Sequence, residues 1–437
     1  MNDLPLRFVI FGGTGDLVRK KIIPAIFNLY KEGLLQENFQ ILGISRKSLS
    51  SEDFRNWIKE NSDIEDDIFL KKLSYFSADI SDRDSLKDLV LELNKEAGNN
   101  LYYLAISPNL YENAFNNIAT SGLMNPQNGW DRVLIEKPFG NDLGHAKKLD
   151  ILLGKLFKED QIFRIDHYLA KETLQNIITF RFANYIFEPS WNSNFIDEVH
   201  IKMYESYDVD NRAAFYDSVG ALKDVGQNHI LQMLALITME EPKNLDFESI
   251  RKSRAEVLEN LDFENKFVRG QYSGYEKIQG VKEKSQTETL FSITAKINNF
   301  RWQNTKFYLI SGKALKETKT EIKVLFKEKG DGVRNVITFK IQPEQKIIVE
   351  FWYKENGFDY KVRSKELIFD YDKNTRTPDA YEKVLFDAIK GDQTLFISTE
   401  EILSQWDFIE KIIKSWQNTP IFQYEKGIDP EEKLSTI

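Results

Sequence analysis

The first third of the chain alternates short apolar runs with amphipathic stretches, and that alternation admits few folds. Leu6–Phe11 reads as a buried strand, followed by a glycine turn and a helical pattern through Ile22, Ile26 and Leu29. Further strand-like runs occupy 39–44, 73–78, 101–106, 132–135 and 161–165, each separated from the next by helical spacing. Strands that alternate with helices pair in parallel through right-handed crossovers, so an α/β domain on a parallel sheet is expected.

The pattern then changes. A long apolar helix is expected over 216–239, and period-two runs dominate elsewhere, at 198–204, 289–297, 306–310, 320–326, 336–341 and 346–353. Charged residues alternate with apolar ones, as in Glu321-Ile322-Lys323-Val324, so one face of this sheet meets water or an interface. Short connections predict a large, mostly antiparallel sheet. Residues 378–416 return to helical spacing, and the polar segment 240–280 gives no clear pattern. At 437 residues the chain is too long for one core. The expected division is a Rossmann-like α/β domain at 1–168 and a larger α+β domain at 169–437.

Composition removes several function classes. A net charge of −9 argues against a nucleic-acid partner, which calls for a basic face. The absence of cysteine excludes disulfides, thiolate catalysis and Cys-ligated metal, and it fits a reducing compartment. The N-terminal Met-Asn-Asp-Leu-Pro lacks the basic and apolar regions of a secretory signal. The longest apolar stretch, 230–239, is interrupted by Gln232 and is too short to span a bilayer. A soluble cytoplasmic protein with no membrane partner is expected.

After the first strand comes Gly12-Gly13-Thr14-Gly15-Asp16-Leu17. Glycines at a strand-to-helix junction let backbone N–H groups approach a pyrophosphate, and the helix N-terminus adds partial positive charge. A purely structural tight turn is the alternative, but the place after the first strand of an α/β region favours a dinucleotide. The end of the second strand separates the cofactors. NAD sites usually carry an acidic residue there for the ribose 2′-hydroxyl, whereas this chain has Ser45-Arg46-Lys47. Arg46 suits a 2′-phosphate, and Thr14 and Ser45 can support the adenosine end, so NADP is favoured, with NAD left open as a second acceptor. A solvated arginine is the competing reading.

Four further segments place polar residues where the apolar pattern predicts burial: Glu-Lys-Pro-Phe-Gly at 136–140, Arg-Ile-Asp-His-Tyr-Leu-Ala-Lys-Glu at 164–172, Asp-Val-Gly-Gln-Asn-His-Ile-Leu-Gln-Met-Leu at 224–234, and Ser-Gly-Lys-Ala-Leu at 311–315. The chain holds four histidines, and His167 and His229 both fall in these segments. A lone histidine on an apolar helix is more often a satisfied core residue than a base. Here Asp166-His167 ends a strand that can converge on His229. A carboxylate bonded to an imidazole fixes its tautomer and raises its basicity, as a general base near neutral pH requires. No histidine spacing suits a metal, and none is expected.

Taken in order, these segments resemble the glucose-6-phosphate dehydrogenase family. The likeness continues through 311–315, Pro-Asp-Ala-Tyr-Glu at 378–382 and Lys-Gly-Asp-Gln-Thr at 390–394, and so covers nearly the whole chain. The stretch 166–172 is specific to that family, whereas Glu-Lys-Pro also occurs in other sugar oxidoreductases. The resemblance implies oxidation of D-glucose 6-phosphate to 6-phosphoglucono-1,5-lactone with hydride transfer to NADP, the first step of the oxidative pentose phosphate pathway. It implies that His229 takes the proton from the C1 hydroxyl and that Asp166 orients His229. His167, Tyr168 and Lys171 would hold the phosphate, with Lys313 reaching in from the second domain. Lys21 and Lys137 would bracket the sugar beside the cofactor, and Glu205 and Asp224 would bind sugar hydroxyls. A cis Lys137–Pro138 bond and a homodimer, or a dimer of dimers, through the large sheet are implied as well.

Some positions depart from the family pattern. Ala170, Asn211, Ala213 and Ala214 stand where glycine is usual, and Ile106-Ser107-Pro108 replaces a more proline-rich turn. Two rivals remain at this stage. One is an oxidoreductase of a non-phosphorylated sugar, which the cationic set Lys171, His167 and Lys313 opposes. The other is a catalytically silent homologue, which the presence of His229 with Asp166 opposes.

Overall fold

Six apolar runs assemble into one parallel sheet in a computed structural model that describes residues 4–124, 129–330, 332–372, 375–417 and 419–434. They are β1 (Leu6–Phe11), β2 (Gln40–Ser45), β3 (Leu73–Ser77), β4 (Asn99–Leu104), β5 (Asp131–Ile135) and β6 (Ile162–Arg164). Their order is β3-β2-β1-β4-β5-β6, with every neighbouring pair parallel. All of β1 is buried, as a central strand between helical layers must be. The strand order reverses between β1 and β4, and ligands of such sheets bind beyond the strand C-termini at that point. Gly12 stands there.

The chain separates into two compact units, Met1–Ala170 with Pro378–Ile402, and Lys171–Thr377 with Leu403–Ile437. The first crossing falls between Ala170 and Lys171. The return of 378–402 to the first unit is not foreshadowed by any local pattern. Its cause is the open edge of β6. The Ile397 N–H donates to the Arg164 carbonyl at 3.0 Å, and Gln393 Nε2 donates to the Ile162 carbonyl at 2.9 Å. Phe396, fully buried, sets its ring edge-on to Phe163 with centroids 4.8 Å apart. The returning segment thus satisfies backbone groups that an uncovered edge would leave unpaired.

The second unit is built on β7 (Ile196–Tyr204), β8 (Leu261–Tyr272), β9 (Leu290–Ile297), β10 (Lys306–Gly312), β11 (Lys319–Phe326), β12 (Val336–Gln342), β13 (Lys346–Lys354), β14 (Val362–Asp370) and β15 (Phe422–Tyr424). These strands form one sheet in the order β14-β13-β12-β11-β7-β10-β9-β8-β15. Only β7 with β10 and β8 with β15 run parallel among the described pairs. Alternate positions of β12 are buried, as its period-two sequence requires, whereas β14 is exposed along its whole length. No helix among the described residues is long and apolar enough to cross a membrane.

Several elements differ from the sequence pattern. The segment 240–280 contains a helix, Phe247–Glu259, capped by Asp246 through the Ser249 N–H at 2.8 Å. Its buried face includes Arg251 and Arg254, which break the apolar stripe that would announce it. The long helix expected over 216–239 is interrupted at Gly220, whose φ of +72° no helix accommodates. Helical structure resumes at Leu222–Ile230 and continues through Leu231–Thr238.

Candidate active site

In the first unit the glycine turn is shaped by close approach. The Gly12 and Gly13 N–H groups both donate to the Ile44 carbonyl at 2.9 Å. A Cβ on Gly12, at φ +82°, would lie 2.1 Å from the Ala105 carbonyl oxygen, and one on Gly13 would lie 2.9 Å from the Gly43 Cα. Only glycine lets the turn settle against the ends of β2 and β4 and leave room above them. Thr14 Oγ1 lies 3.2 Å from Ser45 Oγ, which tethers the turn to the end of β2. Gly15 closes the turn through its N–H to the Gly12 carbonyl at 2.8 Å. Leu17 leads into the π-helical turn Val18–Ile22, which carries Lys21.

Exposed Arg46 rides on a segment pinned from beneath. The Tyr75 hydroxyl donates to the Lys47 carbonyl at 2.7 Å and lies 2.6 Å from Ser45 Oγ. Sequence reasoning assigned nothing to Tyr75. Asp16 is exposed and accepts from Arg19 Nε at 2.9 Å. That hydrogen bond, with the charges of Arg19 and Lys20, holds its carboxyl below the usual range.

The Lys137–Pro138 bond is cis. Glu136, beside it, accepts from the Tyr103 hydroxyl at 2.5 Å and from the Tyr381 hydroxyl. Burial pushes its carboxyl up to about 6 against the opposing pull of those hydrogen bonds. At the end of β6, buried Asp166 accepts the Tyr168 N–H on Oδ1 at 2.9 Å. His167 is half-buried, its ring 5.1 Å from that of Tyr168 and 5.9 Å from that of Tyr381, nearly parallel to the latter at 13°. Arg164 is buried and ion-paired to Glu159 at 2.9 Å and Asp150 at 3.2 Å, which makes it a structural member of its motif. Ala170 is buried and takes no positive φ, so this position does not need glycine. Lys21 reaches Asp379 at 3.3 Å.

The remaining candidates belong to the second unit. Lys171 precedes the helix Glu172–Phe182, and its Nζ donates to Gln342 Oε1 at 2.9 Å. Gln342 ends β12 and carried no signal in the sequence. Lys313 is buried, ion-paired to Glu205 and 3.9 Å from Asp224 Oδ2. Its ammonium also lies 5.2 Å from the Tyr216 ring centroid and 5.5 Å from that of Tyr207. The structure therefore gathers Lys313, Glu205 and Asp224 into one cluster and gives Lys171 a separate partner.

Asp224 and His229 share the π-helical segment Leu222–Ile230. Such i→i+5 winding is rare and recurs at functional sites. It begins against Glu288, a buried carboxylate that accepts the Leu222 N–H at 3.0 Å. A Cβ at Gly220 would come within 2.4 Å of that carboxylate, so the glycine and the glutamate specify each other. His229 is buried, and its N–H donates to Asn228 Oδ1 at 2.7 Å.

Comparison with known families decides what this assembly is. The model for the NAD binding domain of glucose-6-phosphate dehydrogenase matches residues 9–176, and the model for the C-terminal domain matches 178–436. The chain belongs to the glucose-6-phosphate dehydrogenase family. A glucose-6-phosphate 1-dehydrogenase of Borreliella burgdorferi is 39% identical, the match covering 98% of this chain and 96% of that protein. One of Bacillus subtilis is 35% identical over 97% of this chain and 95% of its own. A solved glucose-6-phosphate dehydrogenase in complex with its substrate glucose-6-phosphate superposes with a TM-score of 0.92 at 32% identity, covering 98% of this chain and 96% of that one. An aldose-aldose oxidoreductase of Caulobacter crescentus superposes with a TM-score of 0.55 at 11% identity, over 95% of this chain and 98% of its own, which shows a shared fold alone. The glycine turn, in a domain that this family uses to bind a dinucleotide, thus has a ligand class.

Proposed function

We propose that this chain oxidises D-glucose 6-phosphate at C1 to 6-phosphoglucono-1,5-lactone, with NADP as hydride acceptor. The observation that carries this reading is the full-length match to the substrate-bound dehydrogenase, at a TM-score of 0.92. A steady-state assay with glucose 6-phosphate and free glucose, each with NADP and NAD, tests it. Reduction of neither cofactor by glucose 6-phosphate overturns it.

The cradle at Gly12 and Gly13 fits a dinucleotide, since any Cβ there would fill the space the glycines leave. Their own N–H groups are engaged by Ile44, so the amides of Thr14, Asp16 and Leu17 at the helix start would meet the pyrophosphate. Bound there, NADP supplies the hydride acceptor. Exposed Arg46, held in place through Ser45 and Tyr75, offers a fork to the 2′-phosphate. Arg46→Ala should therefore lower kcat/KM for NADP by about 10- to 150-fold, the worth of a charge-assisted hydrogen bond, and change NAD by less than about twofold. Equal losses for the two cofactors would remove Arg46 from the 2′-phosphate site.

His229 receives the C1 hydroxyl proton and Asp166 supports the imidazolium that results. Lys171, His167 and Tyr168 grip the phosphate, while Lys21 and Lys137 bracket the sugar. Lys313, expected to reach the phosphate from the second unit, also meets the two carboxylates assigned to the sugar hydroxyls. Flanked by Glu205 and Asp224, its charge is offset by carboxylates, and it holds both for the sugar hydroxyls.

The same reading makes the protein a homodimer through the large sheet, or a dimer of such dimers. Support comes from β14, where Leu367, Ile368 and Phe369 are all at least half exposed. An outer strand with apolar groups on both faces is an aggregation hazard unless covered. Sedimentation velocity at micromolar concentration should show at least twice the monomer mass. Loss of mass on Ile368→Lys is expected, and a monomer in the unmodified chain would overturn the assignment.

A further inference from the structure

We infer that Tyr424 is a positioning residue that acts on the substrate site by fixing the backbone turn that carries Lys313. The inference rests on the reading of Lys313 as part of that site given above. Lys313 follows β10 and precedes Ala314, whose φ of +53° is a left-handed conformation that a residue with a Cβ rarely takes. Such a turn persists where its surroundings over-determine it. Tyr207 and Glu205 supply one part of that hold, since their carbonyls accept the Ala314 and Leu315 N–H groups at 3.0 Å each. A second part comes from the C-terminal segment 424–428. The Tyr424 hydroxyl donates to the Lys313 carbonyl at 2.8 Å, and the Gly427 N–H donates to the Ala314 carbonyl at 2.8 Å. The Lys316 N–H donates back to the Ile428 carbonyl at 2.9 Å.

The direction of the Tyr424 hydroxyl is fixed by its neighbours. Tyr424 ends β15 and is 2% exposed. Its oxygen also lies 2.8 Å from Thr289 Oγ1, which in turn accepts the Tyr272 N–H at 3.0 Å. A phenol has a single proton, and the Lys313 carbonyl takes it, so Thr289 is the donor of the hydroxyl pair. A one-way chain therefore runs from the Tyr272 amide through two buried hydroxyls to Lys313, and each bond polarises the next. At the other end of the lysine, the ammonium meets Glu205 and lies 3.9 Å from Asp224. A backbone turn that relaxes toward an ordinary φ carries the ammonium with it, and so disturbs both carboxylates read as sugar ligands. Tyr424 itself need not touch substrate.

The test starts from Tyr424→Phe, which keeps the packed ring and removes the hydroxyl. For glucose 6-phosphate, kcat/KM should fall about three- to tenfold, the worth of one buried hydrogen bond. The dissociation constant of NADP, which the proposed function places on the first unit, should change by less than about twofold. A double-variant cycle with Lys313→Met, which keeps the stem and removes the ammonium, gives the readout that a merely structural residue would not. Added to Lys313→Met, Tyr424→Phe should lower kcat/KM by less than about twofold further, because the group it positions is gone. An equal loss in both backgrounds overturns the inference, as does a matching loss of NADP affinity. If Lys313→Met itself leaves kcat/KM for glucose 6-phosphate unchanged, the substrate-site reading of Lys313 fails. If Lys313→Met lowers it and Tyr424→Phe does not, the inference alone fails. Should the Lys313→Met protein not fold, kcat/KM of Tyr424→Phe set against its NADP dissociation constant decides alone.

Discussion

Replacing His229 by asparagine should lower kcat by about 10²- to 10⁴-fold, the usual range for removal of a general base, while KM for glucose 6-phosphate changes little. Asparagine keeps a polar side chain of similar reach but cannot accept a proton near neutral pH. The fold should survive the change. The His229 backbone is held by the Leu222–Ile230 winding, by Glu288 at its start and by the N–H bond to Asn228, none of which needs the imidazole. Measurement of kcat and KM, with circular dichroism for the fold, checks both points. A variant within about fivefold of the parent at neutral pH would eliminate His229 as the base.

Lys171→Ala should reduce kcat/KM for glucose 6-phosphate by about 10- to 150-fold, since an ammonium–phosphate hydrogen bond is worth about 1.5–3 kcal/mol. The structure sharpens the reason for choosing this lysine. Its Nζ donates to the amide oxygen of Gln342 at 2.9 Å, which orients the ammonium from the end of β12. Lys313 lies between two carboxylates that offset part of its charge. Free glucose has no phosphate to lose, so its specificity constant should change by less than about twofold. Part of the loss can appear in kcat, because a remote phosphate contact also places C1 for reaction. An unchanged ratio of the two specificity constants would move the phosphate away from Lys171 and reopen the non-phosphorylated-sugar reading.

Local pattern announced much of this molecule. The parallel sheet is written as buried runs at fixed intervals, because a strand covered on both faces must be apolar throughout. The alternating strands of the second sheet are written just as openly, since β12 buries every second side chain. The motifs are equally local, each carrying its polar residues within a few positions. Elements failed to announce themselves where burial is not apolar or where pairing alone makes the strand. The helix Phe247–Glu259 buries arginines, and β14 is a strand because β13 supplies its ladder, not because of any face it hides.

Long-range partners were decided only by closure of the chain. Tyr75 beneath Arg46, Gln342 on Lys171, Glu288 on the His229 segment and Tyr381 beside His167 each join groups that no spacing along the sequence relates. Lys171 and Gln342 stand 171 residues apart, so neither position predicts the other. The same holds for 378–402, whose helical spacing says that it buries a face but not against which sheet. Periodicity records how each side chain divides between water and interior, and the chain can satisfy that locally. Which donor meets which acceptor depends on the three-dimensional path that brings them within hydrogen-bond reach. The amino-acid sequence by itself therefore determined most of the elements, the dinucleotide class of the cofactor and the motifs that carry the candidate reacting groups. The tertiary structure decided which side chains hold those groups in place, and that Lys313 answers to Glu205 and Asp224.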